Sequence, residues 1–292
     1  MKKYNHPKNA VRLPGYYKSF VLAGFVVLVG LLAGGWYFTK YHEARAIGTL
    51  NQNQTYRGEY LASSLDLKLA AKATYPSAPL RTIKDIDDAD GIKEQIVSFG
   101  VSVSQLTEYG LMMTPATSRP AQGYPVIILC HGYLNPSEYE TTKGYLADMR
   151  FYAQHGFVVV KPDFRGQGLS AKEGHPEGAY YSMAYNTDVL SLVSALKQTK
   201  LINKSRINIW GHSLGAYIAL RAAVLSPDIK NVILLSTPAD SLTKMYLTYI
   251  PPSDENNLEA LKIRRQVFSL YGIPAENTAF WNSASPINYV SR

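Results

Sequence analysis

The sequence has a single cysteine, and all of its histidines lie at or before residue 212. Its single cysteine, Cys130, excludes an internal disulfide framework and any metal site built from several cysteines. The histidines are His6, His42, His131, His155, His175 and His212, so the last 80 residues contain none. Hydrophobic residues make up 46% and charged residues 18% of the 292, a composition typical of a folded globular chain.

Acidic residues are absent from residues 1–40, and this absence locates the net charge of +8. Six of the 30 basic residues lie there, which leaves 24 basic against 22 acidic residues in the rest of the chain. A protein that follows nucleic-acid phosphates needs its positive charge on the folded domain. Because most of the excess positive charge lies on residues 1–40, the sequence argues against a nucleic-acid partner.

Residues 20–38 form an apolar run without a charge, with Trp36 and Tyr37 near its end. A helix of this length measures roughly 28 Å, enough to cross the hydrocarbon core of a bilayer. Because five basic residues precede the run, we expect a cytoplasmic tail at 1–19, a single-pass anchor in the cell membrane, and an extracytoplasmic domain. The alternative is a signal peptide cleaved near residues 44–46, but the run exceeds the roughly 7–15 residues usual there.

Residues 39–94 have mixed polarity and no clear period, so we expect a juxtamembrane stalk. Its acidic run, residues 85–91, resembles a calcium loop only in composition. Position 12 of such a loop would be Ile96 or Val97, where a bidentate glutamate is required. The run therefore predicts a solvated loop, and no metal site is expected.

From about residue 95 the pattern alternates between strands and helices, which predicts an α/β domain over 95–292. Strands are predicted at 97–103, 106–114, 125–130, 157–161, 206–210 and 231–236, with helices at 145–153, 185–196 and 214–225. Such alternation favours a mostly parallel sheet with helices on both faces. Active sites in these sheets lie at the carboxyl ends of the strands.

The strongest motif is G-x-S-x-G, at residues 211–215 between a predicted strand and a predicted helix. In this context the sharp turn lifts the hydroxyl of Ser213 above the sheet, and Gly211 and Gly215 let the strand and helix approach closely. The N-terminus of the helix offers unpaired N–H groups that can stabilise an oxyanion, which makes the Leu214 N–H a candidate donor. Ser213 is therefore the predicted nucleophile.

Two further motifs follow other strands. The loop His131-Gly132-Tyr133 would supply the second oxyanion donor, the N–H of Tyr133, while His131 is expected to shape the loop rather than to catalyse. His212 should point away from the serine hydroxyl.

The turn at residues 163–170 contains Asp163 and Arg165 beside two glycines, and we expect these two side chains to form an ion pair with a structural role.

The motifs HGY, DFRGQGLS and GHSLG, in this order, resemble an α/β-hydrolase of the prolyl-oligopeptidase (S9) and dienelactone-hydrolase-like branch. The resemblance implies the α/β-hydrolase fold and acyl transfer from an ester or peptide substrate to water through a Ser-acid-His triad. Side chains and water suffice for that chemistry, so no metal or organic cofactor is expected.

The residues after Ser213 depart from the order of the triad in α/β-hydrolases. The triad order in this fold places both the acid and the histidine after the serine, yet no histidine follows Ser213. Residues 237–285 predict a helical cap segment instead of the next strand. We therefore expect a C-terminally truncated hydrolase whose last two strands and remaining triad members lie beyond residue 292, with little activity as it stands. Strand 231–236 would then be an exposed apolar edge.

Three functions are compatible with these residues. The first is a membrane-anchored serine hydrolase acting on peptide, amide or ester bonds. The second is a lipase or carboxylesterase of the same fold, and the third is a non-catalytic, membrane-tethered binding module. Nothing in the sequence predicts an oligomeric state.

Overall fold

The structure is a computed structural model that describes residues 64–89, 91–172, 184–238, 241–249 and 258–290. All of these residues belong to one compact unit. The predicted tail at 1–19 and the predicted membrane segment at 20–38 lie outside the described residues. In the described part of the chain, no helix combines the length and the apolar character needed to cross a bilayer.

The described strands form one seven-stranded sheet in the order β1-β2-β3-β5-β4-β6-β7. They are β1 (Arg81–Ala89), β2 (Ile92–Val101), β3 (Leu106–Thr114), β4 (Tyr124–Cys130), β5 (Val158–Pro162), β6 (Ile202–His212) and β7 (Ile229–Leu235). Strands β5, β4, β6 and β7 run parallel, whereas β1, β2 and β3 are antiparallel to their neighbours and β3 is antiparallel to β5. The sheet is therefore mixed, with the predicted parallel arrangement in four strands.

Helices cover both faces of the parallel part, as the alternation predicted. The described helices are α1 (Leu67–Ala70), α2 (Leu146–Gln154), α3 (Ala184–Leu196), α4 (Leu214–Leu225), α5 (Leu242–Tyr249), α6 (Leu258–Tyr271) and α7 (Thr278–Ser283). Because side chains alternate along a strand, Val126 and Ile128 of β4 join one buried cluster with α3 and α4. Ile127 and Leu129 join another cluster with α2.

The folded domain begins earlier than residue 95, so the predicted stalk boundary needs correction. Residues 81–94 form β1 and the start of β2, and Leu67 and Ala70 of α1 are buried. In the acidic run, residues 85–89 belong to strand β1 rather than to a solvated loop, and Gly91 lies in a turn with φ +71°. The sequence concealed this strand because β1 is an edge strand, on which the carboxylate of Asp85 is exposed and lies 3.3 Å from Nζ of Lys93 in β2.

The opposite edge of the sheet is apolar and exposed, in line with the expectation for residues 231–236. Val232, Ile233 and Leu235 of β7 keep between 38% and 45% of their surface accessible. Among the described strands, none pairs with the outer side of β7. Unpaired edges of this kind are templates for association with other strands.

The segment predicted as a helical cap does contain helices, namely α5, α6 and α7. They pack through buried Tyr246 and Trp281 against Tyr217 of α4. On α6, Val267 is buried in this cluster, whereas Leu270 is 65% exposed.

A single arginine connects the two ends of the described chain. The buried guanidinium of Arg221 in α4 donates hydrogen bonds to the carbonyls of Leu65 and Ala284, at 3.0 and 2.7 Å. These bonds fix the segment before α1 and the segment after α7 onto α4, the helix that directly follows Ser213.

Candidate active site

The strand register brings two of the predicted motifs together. Cys130, the last residue of β4, is paired with Gly211 of β6. The loop 131–133 therefore lies beside the turn at 212–214, at the carboxyl ends of two adjacent parallel strands. Helix α2, which follows β4, packs on one face of the sheet, and helix α4, which follows β6, packs on the other. The crevice between two such adjacent strands, at their carboxyl ends, is where open α/β sheets form ligand sites.

Ser213 has a strained backbone between β6 and α4. Its φ of 53° and ψ of −120° lie in a region that residues with a Cβ seldom adopt, at a cost of order 1–3 kcal/mol. The turn is held by a hydrogen bond of 2.9 Å from the N–H of Ser213 to the carbonyl of Leu235 in β7. This is the geometry predicted for a serine on a strand-to-helix turn.

The two glycines of the motif are required by backbone contacts. A Cβ at Gly211 would lie 2.3 Å from the carbonyl oxygen of Gly215. A Cβ at Gly215 would lie 2.0 Å from the carbonyl oxygen of Cys130. The first turn of α4 thus touches both β6 and the end of β4, which brings the N-terminus of the helix next to the loop 131–133.

The first turn of α4 presents N–H groups for which the helix has no acceptor, the N–H of Leu214 among them. Leu214 itself is buried, and the side chain of Ser213 beside it is half-buried. Among the described residues, the Ser213 hydroxyl has no hydrogen-bond partner. Tyr133, the other predicted oxyanion residue, has a side chain that is 57% exposed.

Gly132 and His212 are joined through a residue that the motifs did not include. The N–H of Gly132 donates to the hydroxyl of Tyr145 at 2.9 Å, and the same hydroxyl lies 2.8 Å from Nδ1 of His212. The imidazole of His212 is therefore engaged with Tyr145 rather than with the Ser213 hydroxyl.

His131 is buried inside its own loop. Its Nδ1 lies 2.8 Å from the carbonyl oxygen of Gly132, and its ring stacks on Tyr139 with centroids 4.8 Å apart. Because the carbonyl can only accept, Nδ1 carries the proton. Burial lowers the pKa of His131 to about 4, so the ring is neutral near pH 7. No described residue hydrogen-bonds its Nε2.

Asp163 connects the loop after β4 to the turn after β5. Its carboxylate accepts hydrogen bonds from the hydroxyls of Tyr139 (3.0 Å) and Thr141 (2.6 Å) and from the N–H of Leu169 (3.0 Å). The carboxylate is fully buried, and burial raises its pKa above the usual value. These three hydrogen bonds hold the loop after β4 against the turn after β5.

Asp163 and Arg165 do not pair with each other, contrary to the prediction from their spacing. Arg165 instead forms a bidentate ion pair with Asp188, a fully buried residue of α3. Asp163, the predicted partner of Arg165, accepts hydrogen bonds from neutral donors instead. The buried carboxylate of Asp188 in α3 is the group that a cation must balance. The choice of partner therefore depends on the packing of α3 against the turn.

Glu108 of β3 lies close to this ion pair and is fully buried. Neither of its carboxylate oxygens has a hydrogen-bond partner among the described residues. Burial, followed by the negative charge of Asp188, raises the pKa of Glu108 to about 9, so the group is a neutral acid near pH 7.

Sequence reasoning missed Tyr145, Asp188 and Glu108. Asp188 left a weak signal, because it is an isolated acid within the mainly apolar helix α3. Tyr145 left none, since one tyrosine before a helix is unremarkable.

Comparison with known proteins supports this fold. A family model described as the alpha/beta hydrolase fold matches residues 125–284, more than half of the chain. Two solved structures are similar: the acetyl xylan esterase of Paenibacillus sp. R4 (TM-score 0.53, 16% identity, 82% of this chain and 77% of that chain) and acetyl xylan esterase 1 of Thermoanaerobacterium sp. (TM-score 0.52, 18% identity, 74% and 70%). At these identities the likeness shows the fold alone.

Two curated proteins are similar in sequence over shorter stretches. An uncharacterized 31.7 kDa protein of Escherichia coli, from the traX-finO intergenic region, is 27% identical over 112 residues, covering 38% of this chain and 36% of that protein. Dipeptidyl peptidase 8 of Mus musculus is 29% identical over 155 residues, covering 49% of this chain and 16% of that protein. The chain thus spans little more than a third of the length of the Escherichia coli relative. With the family model, the mixed sheet and the turn at Ser213 in agreement, the chain belongs to the α/β-hydrolase family.

Proposed function

We propose that this chain is a serine hydrolase in which the Ser213 hydroxyl attacks the acyl carbonyl of an ester or amide. The bond to the alcohol or amine breaks, that group leaves with a proton, and water then hydrolyses the acyl-enzyme to release the acid. The observation that carries the proposal is the strained conformation of Ser213 at the N-terminus of α4. Such strain is maintained only where surrounding contacts impose it, and here the contacts at Gly211 and Gly215 do so.

Charge stabilisation is the second part of the proposal. The tetrahedral intermediate carries its negative charge on the former carbonyl oxygen, next to the attacked carbon. The N–H of Leu214 lies at the positive end of the α4 dipole and is the first donor we propose. The N–H of Tyr133 is the second, because the pairing of Cys130 with Gly211 brings its loop beside the nucleophile.

A serine hydroxyl also needs a base that takes its proton. The three described histidines are engaged elsewhere, His131 with Gly132, His155 with the carbonyl of Phe151 and His212 with Tyr145. We therefore propose that the base and its carboxylate partner come from outside the described residues. The proposal is compatible with either an esterase or a peptidase, and the similarity to dipeptidyl peptidase 8 is one reason to test amides beside esters.

Covalent labelling with a fluorophosphonate tests the nucleophile. We expect any labelling of the full chain to disappear in Ser213→Ala. Ser236→Ala is the matched control, since Ser236 also has a positive φ, 52°, at the end of a neighbouring strand but begins no helix. Equal labelling of Ser213→Ala and the wild type would contradict the proposal. An unlabelled wild type that still binds acyl ligands would favour the non-catalytic binding module.

Substrate class is tested with a panel of p-nitrophenyl esters and aminoacyl p-nitroanilides, each measured on the wild type and on Ser213→Ala. Turnover of the anilides that depends on Ser213 indicates a peptidase. Turnover restricted to the esters indicates a lipase or carboxylesterase.

We further propose that residues 20–38 anchor the chain in the cell membrane, with residues 1–19 in the cytoplasm and the hydrolase domain outside. The uncharged run and the five basic residues before it support this. The full chain should remain with membranes in alkaline carbonate, and a variant lacking residues 1–38 should be released. Release of both proteins would exclude the anchor.

A further inference from the structure

The hydroxyl of Tyr145 connects the two halves of the candidate site. On one side it accepts the N–H of Gly132, in the loop that follows β4, at 2.9 Å. On the other side it lies 2.8 Å from Nδ1 of His212, the residue directly before Ser213. The bonds span 13 and 67 residues of sequence, so they join segments that only the folded chain brings together.

The Tyr145 hydroxyl accepts the N–H of Gly132 and has one proton of its own to donate. Nδ1 of His212 is the partner within reach, and the hydroxyl donates to it in the tautomer that carries the ring proton on Nε2. Burial raises the pKa of Tyr145 above 10.0, so the hydroxyl retains this proton at neutral pH. In this tautomer the hydrogen bonds run from the Gly132 N–H to the Tyr145 hydroxyl and from that hydroxyl to Nδ1 of His212.

Tyr145 is held firmly in this place. Its φ is 59°, which is rare for a bulky side chain, and it forms the N-cap position of α2 without any capping bond from its own side chain. Its ring meets the edge of Trp210 in β6, with centroids 5.8 Å apart. A Cβ at Gly132 would lie 2.9 Å from the tyrosine oxygen and 3.0 Å from Nδ1 of His212, so the three groups leave no space between them.

We propose that Tyr145 is a positioning residue for hydrolysis at Ser213, because its hydroxyl fixes the distance between the loop 131–133 and the turn 211–215. This inference rests on the proposed function. An oxyanion site works when both donors are fixed before the charge develops, and small displacements of such groups are costly. With the N–H of Gly132 bound to Tyr145, that N–H is committed to holding the loop.

Tyr145→Phe tests the inference, since it removes one oxygen and retains the ring against Trp210. We expect kcat for p-nitrophenyl acetate to fall about 10- to 100-fold, with KM changed less than about twofold. Tyr152→Phe is the matched control, because Tyr152 is a half-buried tyrosine of the same helix whose hydroxyl makes no hydrogen bond among the described residues. Its kcat should stay within about twofold of the wild type.

Substitutions at His212 separate positioning from general stability. His212→Leu removes the acceptor and should lower kcat as Tyr145→Phe does, whereas His212→Asn keeps an acceptor near the Nδ1 position and should restore most of it. The double variant Tyr145→Phe/His212→Leu should be no slower than either single variant, since groups that act as one unit are not additive.

A readout independent of turnover is the ¹⁵N chemical shift of His212. In the wild type, Nδ1 should have the shift of an unprotonated, hydrogen-bonded nitrogen, and Tyr145→Phe should move it.

The outcomes distinguish the two proposals. If wild-type turnover does not depend on Ser213, the proposed function fails and this inference fails with it. If it does depend on Ser213 and Tyr145→Phe retains the wild-type kcat, only this inference is overturned. An equal loss in Tyr152→Phe, or additive losses in the double variant, would likewise overturn it, because the effect would then be one of helix packing.

Discussion

A Cβ atom on Gly215 would lie 2.0 Å from the carbonyl oxygen of Cys130, although 85 residues separate the two in sequence. The obstacle is backbone on both sides, so no side chain can rotate away to relieve it. The same contact brings the N-terminus of α4 next to the loop that follows β4.

Gly215→Ala should therefore destabilise the fold severely. We expect a loss of at least ~3 kcal/mol of unfolding free energy, or failure to fold, because α4 must move away from β4. Gly156→Ala is the control, since Gly156 has φ +86° but no atom within 4 Å of its Cβ position. That variant should lose only about 1 kcal/mol from the unfavourable φ. Urea unfolding measures both, and a mild effect at Gly215 would contradict the contact.

Relief of strain at the nucleophile should stabilise the protein. Ser213→Gly places at φ 53° and ψ −120° a residue that tolerates this conformation, so we expect a gain of ~1 kcal/mol in unfolding free energy over Ser213→Ala. Both variants should lack Ser213-dependent activity. Thermal unfolding of the pair isolates the backbone effect, because both lack the hydroxyl. Equal stability would show that the turn is unstrained.

Removing Arg165 alone should lower the free energy of unfolding more than removing Arg165 and Asp188 together. Arg165→Met leaves the fully buried carboxylate of Asp188 without its cation and should cost about 3–5 kcal/mol. The double variant Arg165→Met/Asp188→Leu removes both charges and should recover much of that loss. The exposed pair of Glu140 and Lys143 is the control, and Glu140→Gln should change stability by less than about 1 kcal/mol. Failure of the double variant to recover would indicate that the pair has another function.

Glu108 should make stability fall as pH rises. Its folded-state pKa of about 9 lies above the usual 4.5, so between these values the folded state holds a proton that the unfolded state has lost. The contribution of this group to the free energy of unfolding therefore falls as pH rises above 4.5, and it levels off once Glu108 ionises in the folded state as well. Glu108→Gln should remove the slope and be the relatively more stable protein at pH 8. Unfolding in urea at several pH values tests this, and a constant difference between the two proteins would contradict it.

The sequence predicted most of the parallel half of the sheet and the helices beside it. Strand 106–114 and helix 214–225 have the predicted bounds, and the other predicted strands differ from the structure by a few residues. These elements were predictable because their apolar periods are local and strong. The nucleophile turn was predictable for the same reason, since five consecutive residues specify it.

The antiparallel edge was not predictable in this way. β1 is exposed and acidic, so its alternation is weak, and it is a strand only because β2 pairs with it. Because β1 belongs to the sheet, the folded domain begins within residues 39–94, the segment predicted from composition to be a stalk.

The sequence by itself determined the family, the turn at Ser213 and the presence of a loop beside it. Only the tertiary structure decided the partners: Arg165 with Asp188 rather than with Asp163, Tyr145 between Gly132 and His212, and the burial of Glu108. The physical reason is distance along the chain. Local periodicity specifies elements of about ten residues, whereas a hydrogen-bond partner 67 residues away depends on which faces those elements bury together.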